Sequence, residues 1–321
     1  MTLENAKSEV DRALTGPKKG RDYENTFAGA VSFLRRRYAK DVSGYDLAVT
    51  GIPFDGAVTN RPGARFGPRA IREASTLLPF DPPYGWGFDP LEEFAIADAG
   101  DVAFDYAQPG DVPGLIEAHA AKILASGAAL LSLGGDHSVS LPLIRAHAAN
   151  HGPVALLQFD AHTDTWPDDN RARNDHGTMF YKAVKDGLLD IDHSVQVGIR
   201  TTNEDTLGIA QIDAREVHVS GPVVVAQKIK EVVGGAPVYL SFDIDVLDPA
   251  AAPGTGTPVW GGLTSGQAAV ILRDIAGINV VGADVVEVSP SYDTTGATAI
   301  AAAHAALELI CLWAWTRRAG A

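Results

Sequence analysis

Residues 154–164 read VALLQFDAHTD, an apolar run of strand length that stops abruptly in an Asp-x-His-x-Asp cluster. Residues 238–245, VYLSFDID, repeat the pattern and end on Asp243 and Asp245, and the apolar run at 128–133 leads into GGDHS at 134–138. In an open parallel sheet ligands gather outside the carboxyl ends of the strands, so runs that stop in charge suit that edge. Working outward, strands are expected at 45–52, 94–99, 128–133, 154–159, 194–199, 209–213, 238–242 and 280–286. Helical patterns at 67–78, 113–126, 141–150, 222–233 and 265–275 lie between them, and an Ala-rich helix over about 295–318 closes the chain. This alternation predicts an α/β fold, a mostly parallel eight-stranded sheet with helices on both faces. No Pro/Ser linker or internal repeat divides it, which makes one domain the simpler account.

The strand ends supply four carboxylates and two imidazoles: His137, Asp160, His162, Asp164, Asp243 and Asp245. A single zinc takes roughly three or four protein ligands, whereas a two-metal site needs about six with some shared. Oxygen-rich ligation without thiolate favours Mn2+ over Zn2+. A lone Asp-x-Asp is commonly a turn or a cap. Four carboxylates and two histidines at one sheet edge, however, would repel one another and lose hydration without a cation to compensate. The set therefore reads as the metal centre of a hydrolase.

Composition narrows the partners. Of the 321 residues 46% are hydrophobic, ample for a core, and the net charge of −14 argues against a nucleic-acid or anionic-membrane surface. The single cysteine, Cys311, excludes an intrachain disulfide and a thiolate metal site, and reads as a buried core thiol. No run approaches about eighteen consecutive apolar residues, and Glu4, Lys7, Glu9, Asp11 and Arg12 stand where a secretory segment would be apolar. A cytoplasmic location is expected. Of the remaining histidines, His119, His147, His151, His193 and His218 lack ligand spacing, and His304 is expected to pack within the terminal helix.

Taken in order, GGDHS, FDAHTDT, HGTMF from His176, SFDIDVLDPAAAPGTGTP and DVVEVSP resemble the ureohydrolases, the arginase and agmatinase superfamily. The resemblance runs from about residue 22 to the end, leaving 1–21 as a variable N-terminal extension and 22–321 as a single domain. Within the superfamily, IPFDGAVTNRPGARFGPRAIREAS, DHGTMFYKAV and PGTGTPVWGGLTS are most similar to bacterial agmatinases. Arginases usually place an Asn where Trp166 stands, followed by a Ser/Thr-rich loop, so arginine is disfavoured.

The resemblance implies an arginase-like three-layer αβα sandwich and two Mn2+ per chain. His137, Asp160, Asp164 and Asp243 would hold one ion, and Asp160, His162, Asp243 and Asp245 the other. It implies cleavage of the guanidinium group of agmatine to urea and putrescine, with Glu287 pairing the guanidinium and Asp164 or His176 supplying a proton to the leaving amine. Trp166, Arg171 and Arg173 join His176 and Glu287 as candidates for binding substrate. Asp168, Asp169 and Asp175 suit the ammonium of agmatine, while Arg171 and Arg173 suit a carboxylate. The alternative substrate is therefore a guanidino acid, 4-guanidinobutanoate or 3-guanidinopropanoate. Two other readings stay open: a single-zinc amidohydrolase of the histone-deacetylase kind, and a non-catalytic paralogue. The resemblance also implies a homotrimer or homohexamer, with residues 25–37 and the helix bearing Trp313 and Trp315 as candidate interfaces.

Overall fold

The computed structural model of the protein describes residues 11–21 and 24–319. All eight expected strands form: β1 (Leu47–Gly51), β2 (Ile96–Asp101), β3 (Ala129–Leu133), β4 (Ala155–Phe159), β5 (Val195–Ile199), β6 (Ala210–Asp213), β7 (Val238–Asp243) and β8 (Val280–Val286). They make one sheet in the order β2-β1-β3-β8-β7-β4-β5-β6. Every pairing between them is parallel. All carboxyl ends therefore emerge on one edge. The four central strands β3, β8, β7 and β4 are the ones that carry GGDHS, Glu287, the Asp243 pair and the Asp160 cluster.

The helices are α1 (Arg12–Thr15), α2 (Gly67–Ser75), α3 (Pro90–Glu93), α4 (Val112–Leu124), α5 (Ser140–His151), α6 (Met179–Lys185), α7 (Ala214–Ser220), α8 (Pro222–Val233), α9 (Ser265–Asp274) and α10 (Ala297–Ala319). Side chains alternate across each strand, so a sheet covered on both faces must be apolar throughout. Leu131, Leu157, Leu240 and Val285 bury one face against α2, α8, α9 and α10. Leu130, Leu156, Tyr239 and Val286 bury the other against α4, α5 and α6. This is the expected three-layer αβα sandwich. Sharp starts help to fix the crossovers: Thr264 and Gln267 form a reciprocal capping box on α9.

Sequence periodicity overlooked α6 and α7. Each has seven residues, about two turns, too few for a helical period to stand out. The terminal helix α10 has 23 residues, and its most apolar eighteen-residue window is long and hydrophobic enough on those grounds alone to cross a membrane. In this fold 78% of that apolar window is buried, and the Trp313 indole N–H donates to the Val280 carbonyl (2.8 Å). Cys311 is buried in the same helix. His304 departs from its expectation: it lies exposed on α10.

The first ten residues of the expected extension, and Asp22 at the start of the expected domain, lie outside the described residues. Residues 11–21 are stitched to the domain, with the Tyr38 N–H on the Ala13 carbonyl (2.6 Å) and the Gly20 N–H on the Leu91 carbonyl (2.7 Å). Within 25–37, Phe33, Leu34, Arg35 and Arg36 are buried by the chain itself, while Phe27 and Val31 are exposed.

His147 is fully buried in α5. Its Nδ1 lies 2.8 Å from the Leu143 carbonyl and its ring stands edge-on to Tyr239. Burial pushes its pKa down from 6.5 to about 4. A base depressed on folding withdraws stability as pH falls, here across the window from about 6.5 to about 4, by about 3 kcal/mol. Urea unfolding of the parent and of His147→Leu between pH 7.5 and 4 checks this. The parent is expected to lose about 3 kcal/mol more than the variant, and parallel losses would contradict the assignment.

Candidate metal centre

Each ligand loop is built by short-range hydrogen bonds at a strand end. After β3, Gly135 passes so close to Phe54 that a Cβ would sit 1.6 Å from its carbonyl oxygen. Only glycine fits there. Asp136 then caps the turn His137–Val139 by accepting the Ser138 N–H (3.1 Å). After β4, Asp160 Oδ1 accepts the His162 N–H (2.6 Å). At the end of β7, Asp243 Oδ1 accepts the Asp245 N–H (2.8 Å), while Asp245 Oδ1 accepts the Ala161 N–H across the sheet (3.0 Å). Asp164 and Glu287 hold positive φ of 52° and 64°, a conformation costing a non-glycine residue about 1 kcal/mol or more. Backbone bonds hold both: the Phe180 N–H reaches the Asp164 carbonyl and the Glu287 N–H the Gly135 carbonyl.

The result is two groups of ligands sharing Asp160: His137, Asp160 and Asp164 in one, Asp160, His162 and Asp245 in the other. His137 Nδ1 faces Asp160 Oδ2 at 3.1 Å, Asp164 Oδ2 at 2.9 Å and Asp243 Oδ2 at 3.1 Å. His162 Nδ1 lies 3.4 Å from Asp160 Oδ1 and 3.0 Å from Asp245 Oδ2. The whole expected ligand set is thus brought together.

His137 shows what the cluster is built for. Its Nε2 lies 2.7 Å from Ser241 Oγ, and that hydroxyl donates to Asp284 Oδ1 at 2.6 Å. Ser241 therefore accepts from Nε2–H, leaving the Nδ1 lone pair turned toward three carboxylates. That nitrogen is buried and has no hydrogen-bond partner. A lone pair facing anionic oxygens is sustained by a cation, and carboxylate plus imidazole donors suit a hard or borderline divalent ion. Without one, protons must take its place. Burial opposes charge on His137, but Asp160, Asp164 and Asp243 outweigh it and raise its pKa well above the ordinary value. His162 is likewise pushed up to about 12, against burial, by Asp245 and Asp160. Burial and the neighbouring carboxylates raise Asp164 to about 6 and Asp243 well above the carboxylate range.

Beside the ligands, Glu287 Oε1 accepts the backbone N–H of His137 (2.8 Å) and meets His176 Nδ1 (2.8 Å). Glu287 Oε2 is buried without a partner. The Thr59 N–H points to His176 Nε2 (3.1 Å), so Nε2 carries the lone pair and Nδ1–H donates to Glu287. Burial opposes charge on His176, while the Glu287 carboxylate pulls its pKa upward. Thr59, His162, Asp164, Trp166, Arg173 and His176 are among the residues lining a cavity of about 380 Å³ over this edge.

Arg171 is not brought to that cavity. Its guanidinium is 81% exposed and pairs with Asp186 at 2.7 Å on the outer side of the loop. Asp168 and Asp169 are also engaged elsewhere, by Lys182 (3.0 Å) and by the Tyr181 hydroxyl (2.9 Å). Arg173 and Asp175 line the cavity and pair with each other. Sequence reasoning missed Thr59, Ser241 and Asp284. For the latter two the signal was a hydroxyl and a carboxylate inside the buried strands VYLSFD and VVGADVV.

Comparisons agree with this geometry. The Arginase family matches residues 45–311. The agmatinase of Chromobacterium violaceum is 57% identical over 295 residues, 91% of this chain and 91% of its own. The crystal structure of a hypothetical agmatinase from Burkholderia thailandensis superposes with a TM-score of 0.94 at 54% identity, covering 97% of this chain and 99% of that one. Proclavaminate amidino hydrolase from Streptomyces clavuligerus superposes with a TM-score of 0.85 at 39% identity, covering 91% and 100%.

Because the surrounding carboxylates hold His137 and His162 toward their protonated forms when no cation is present, metal binding at pH 7 is expected to expel protons, and affinity to rise with pH. Calorimetric titration with Mn2+ in buffers of different ionisation enthalpy is expected to show net proton release. Heats independent of the buffer would contradict the protonated cluster.

Proposed function

Because this chain belongs to the arginase family, whose members depend on a binuclear metal centre, we propose that it hydrolyses agmatine to urea and putrescine with two Mn2+ per chain. The observation that carries this reading is Glu287, a buried carboxylate with one free oxygen, set against His137 and His176 at the same strand edge. Relatives of this length and identity that bear the name agmatinase support it. His137, Asp160, Asp164 and Asp243 would hold one ion, and Asp160, His162, Asp243 and Asp245 the other. When bound, such a pair of cations lowers the pKa of a shared water so that hydroxide is at hand near neutral pH.

The chain's own groups do the rest. A guanidinium offers a planar fork of donors, and the Glu287 carboxylate is the complementary acceptor that fixes its plane. Its central carbon is a poor electrophile, so holding it in the attack geometry is a large share of the work. His176 keeps a proton on Nδ1 against Glu287, close to where the leaving amine must be protonated; Asp164 is the second candidate for that transfer. At the far end of the substrate, Asp175 is the loop carboxylate that lines the cavity, with Trp166 beside it, and it is the acceptor we assign to the ammonium of agmatine. Arg173 lines the same cavity, which favours a guanidino acid such as 4-guanidinobutanoate as the second reading.

The reading includes self-association as a homotrimer or homohexamer, for which exposed Phe27, Val31 and Trp315 are available, and a cytoplasmic location. Nucleic acid and membrane have no part in it.

Urea release by Mn2+-loaded protein, compared across agmatine, 4-guanidinobutanoate, 3-guanidinopropanoate and arginine, tests the substrate. Agmatine is expected to give the highest kcat/KM, and a preference for a guanidino acid would transfer the assignment to Arg173. Glu287→Gln is expected to lower kcat/KM by about a hundredfold or more with metal content retained. Parent-like turnover in that variant would remove Glu287 from its role. Asp175→Asn is expected to raise KM for agmatine about tenfold while kcat changes little, the signature of lost ground-state binding.

A further inference from the structure

On one face of the sheet, strands β4, β5 and β6 each place a glutamine in the same register: Gln158 pairs with Gln196, and Gln196 with Gln211. Gln158 and Gln196 are fully buried, and the same row continues through the buried Ser241 and Asp284 on β7 and β8. Buried amides are costly unless every group finds a partner, and here each does. Gln158 Nε2 donates to Asp160 Oδ2 (2.7 Å) and to the His162 carbonyl (3.1 Å). Gln196 Nε2 donates to Gln158 Oε1 (2.6 Å) and to the Thr163 carbonyl (2.7 Å). Gln211 Nε2, on the exposed edge strand, donates to Gln196 Oε1 (2.9 Å).

The direction of this chain is forced. Asp160 Oδ2 and the His162 carbonyl accept only, so Gln158 must turn its NH2 toward them and its oxygen toward β5. That oxygen and the Thr163 carbonyl impose the same choice on Gln196, and the Gln196 oxygen imposes it on Gln211. Three aligned amides polarise one another in the same sense. The last donor acts on the carboxylate shared by the two ligand groups.

We propose that the Gln158–Gln196–Gln211 ladder is a positioning device for the metal centre. It fixes the rotation of the Asp160 carboxylate and, through the carbonyls of His162 and Thr163, the backbone of the ligand loop. A donor on Oδ2 also draws charge from that oxygen, which tempers repulsion between Asp160 and the other carboxylates before a cation arrives. Gln158, Gln196 and Gln211 touch neither substrate nor the reacting atoms. The inference rests on the metal-centre reading and is independent of which guanidine is cleaved.

The test is Mn2+ affinity, measured without substrate by competition with a chromophoric chelator, in Gln158→Met, Gln196→Met and Gln211→Met. Methionine keeps the length of the side chain and removes the donor. The expected loss is about 10- to 100-fold for Gln158→Met, less for Gln196→Met and least for Gln211→Met, with the thermal midpoint of metal-free Gln211→Met unchanged. If Gln158→Met does not fold, the other two carry the test: weakened binding in folded Gln196→Met supports the ladder. Parent-like dissociation constants in the folded variants would overturn it and leave the amides a packing feature. Parent protein that binds no Mn2+ would instead overturn the metal centre itself, which separates the two failures.

Discussion

Asp160, Asp164, Asp243 and Asp245 are all buried together with His137 at one edge of one sheet. Within each ligand group the donor atoms lie inside 4.8 Å of one another. Two like charges at that separation repel by about 3 kcal/mol even at an effective dielectric constant of 20. The cluster cannot persist as bare anions. It must be compensated by protons or by cations, and its surroundings suit a cation. The Ser241–Asp284 pair behind His137 keeps the proton on the far nitrogen, and the second oxygen of several ligands is tied to backbone N–H groups, which fixes where the first one points.

This placement follows from topology. Among parallel strands every carboxyl end faces the same way, and the order β3-β8-β7-β4 makes neighbours of β3 and β8, and of β7 and β4, which are far apart in the chain. Two ligand loops are cross-linked directly, by the Ala161 N–H on Asp245. The guanidinium-pairing candidate is joined to a third by the His137 N–H on Glu287. Displacement of one loop is therefore felt by the others. The positive φ at Asp164 and Glu287 is held by two further bonds, from the Phe180 N–H to the Asp164 carbonyl and from the Glu287 N–H to the Gly135 carbonyl, so the local cost is borne by elements the sandwich already makes rigid.

Much of this could be read from the sequence because strands buried on both faces leave nearly continuous apolar runs, and the change from Phe159 to Asp160 or from Phe242 to Asp243 is abrupt. Apolar runs that stop in acid place the ligand candidates at strand ends, whereas the roles of His176 and Glu287 rest on resemblance. What was not legible is long-range or short-range in a telling way. Thr59 meets His176 across more than a hundred residues, and no local pattern announces it. Ser241, Asp284 and the three glutamines are polar residues in apolar strands, visible as anomalies but not as partners until strand order and register are known. The loop at 165–175 was misread at Arg171 because the short helix α6, which supplies Tyr181 and Lys182 to Asp169 and Asp168, was not foreseen. Charges that looked free to recognise a substrate are largely spent on anchoring the loop.

The central claim is that the shared carboxylate Asp160 stands between two cations, one served by His137 and the other by His162. Anomalous diffraction at the manganese edge from crystals grown with Mn2+ addresses it directly. The account predicts two peaks per chain, one within bonding distance of each histidine, with Asp160 in contact with both. A single peak, or manganese lying away from either histidine, would contradict it.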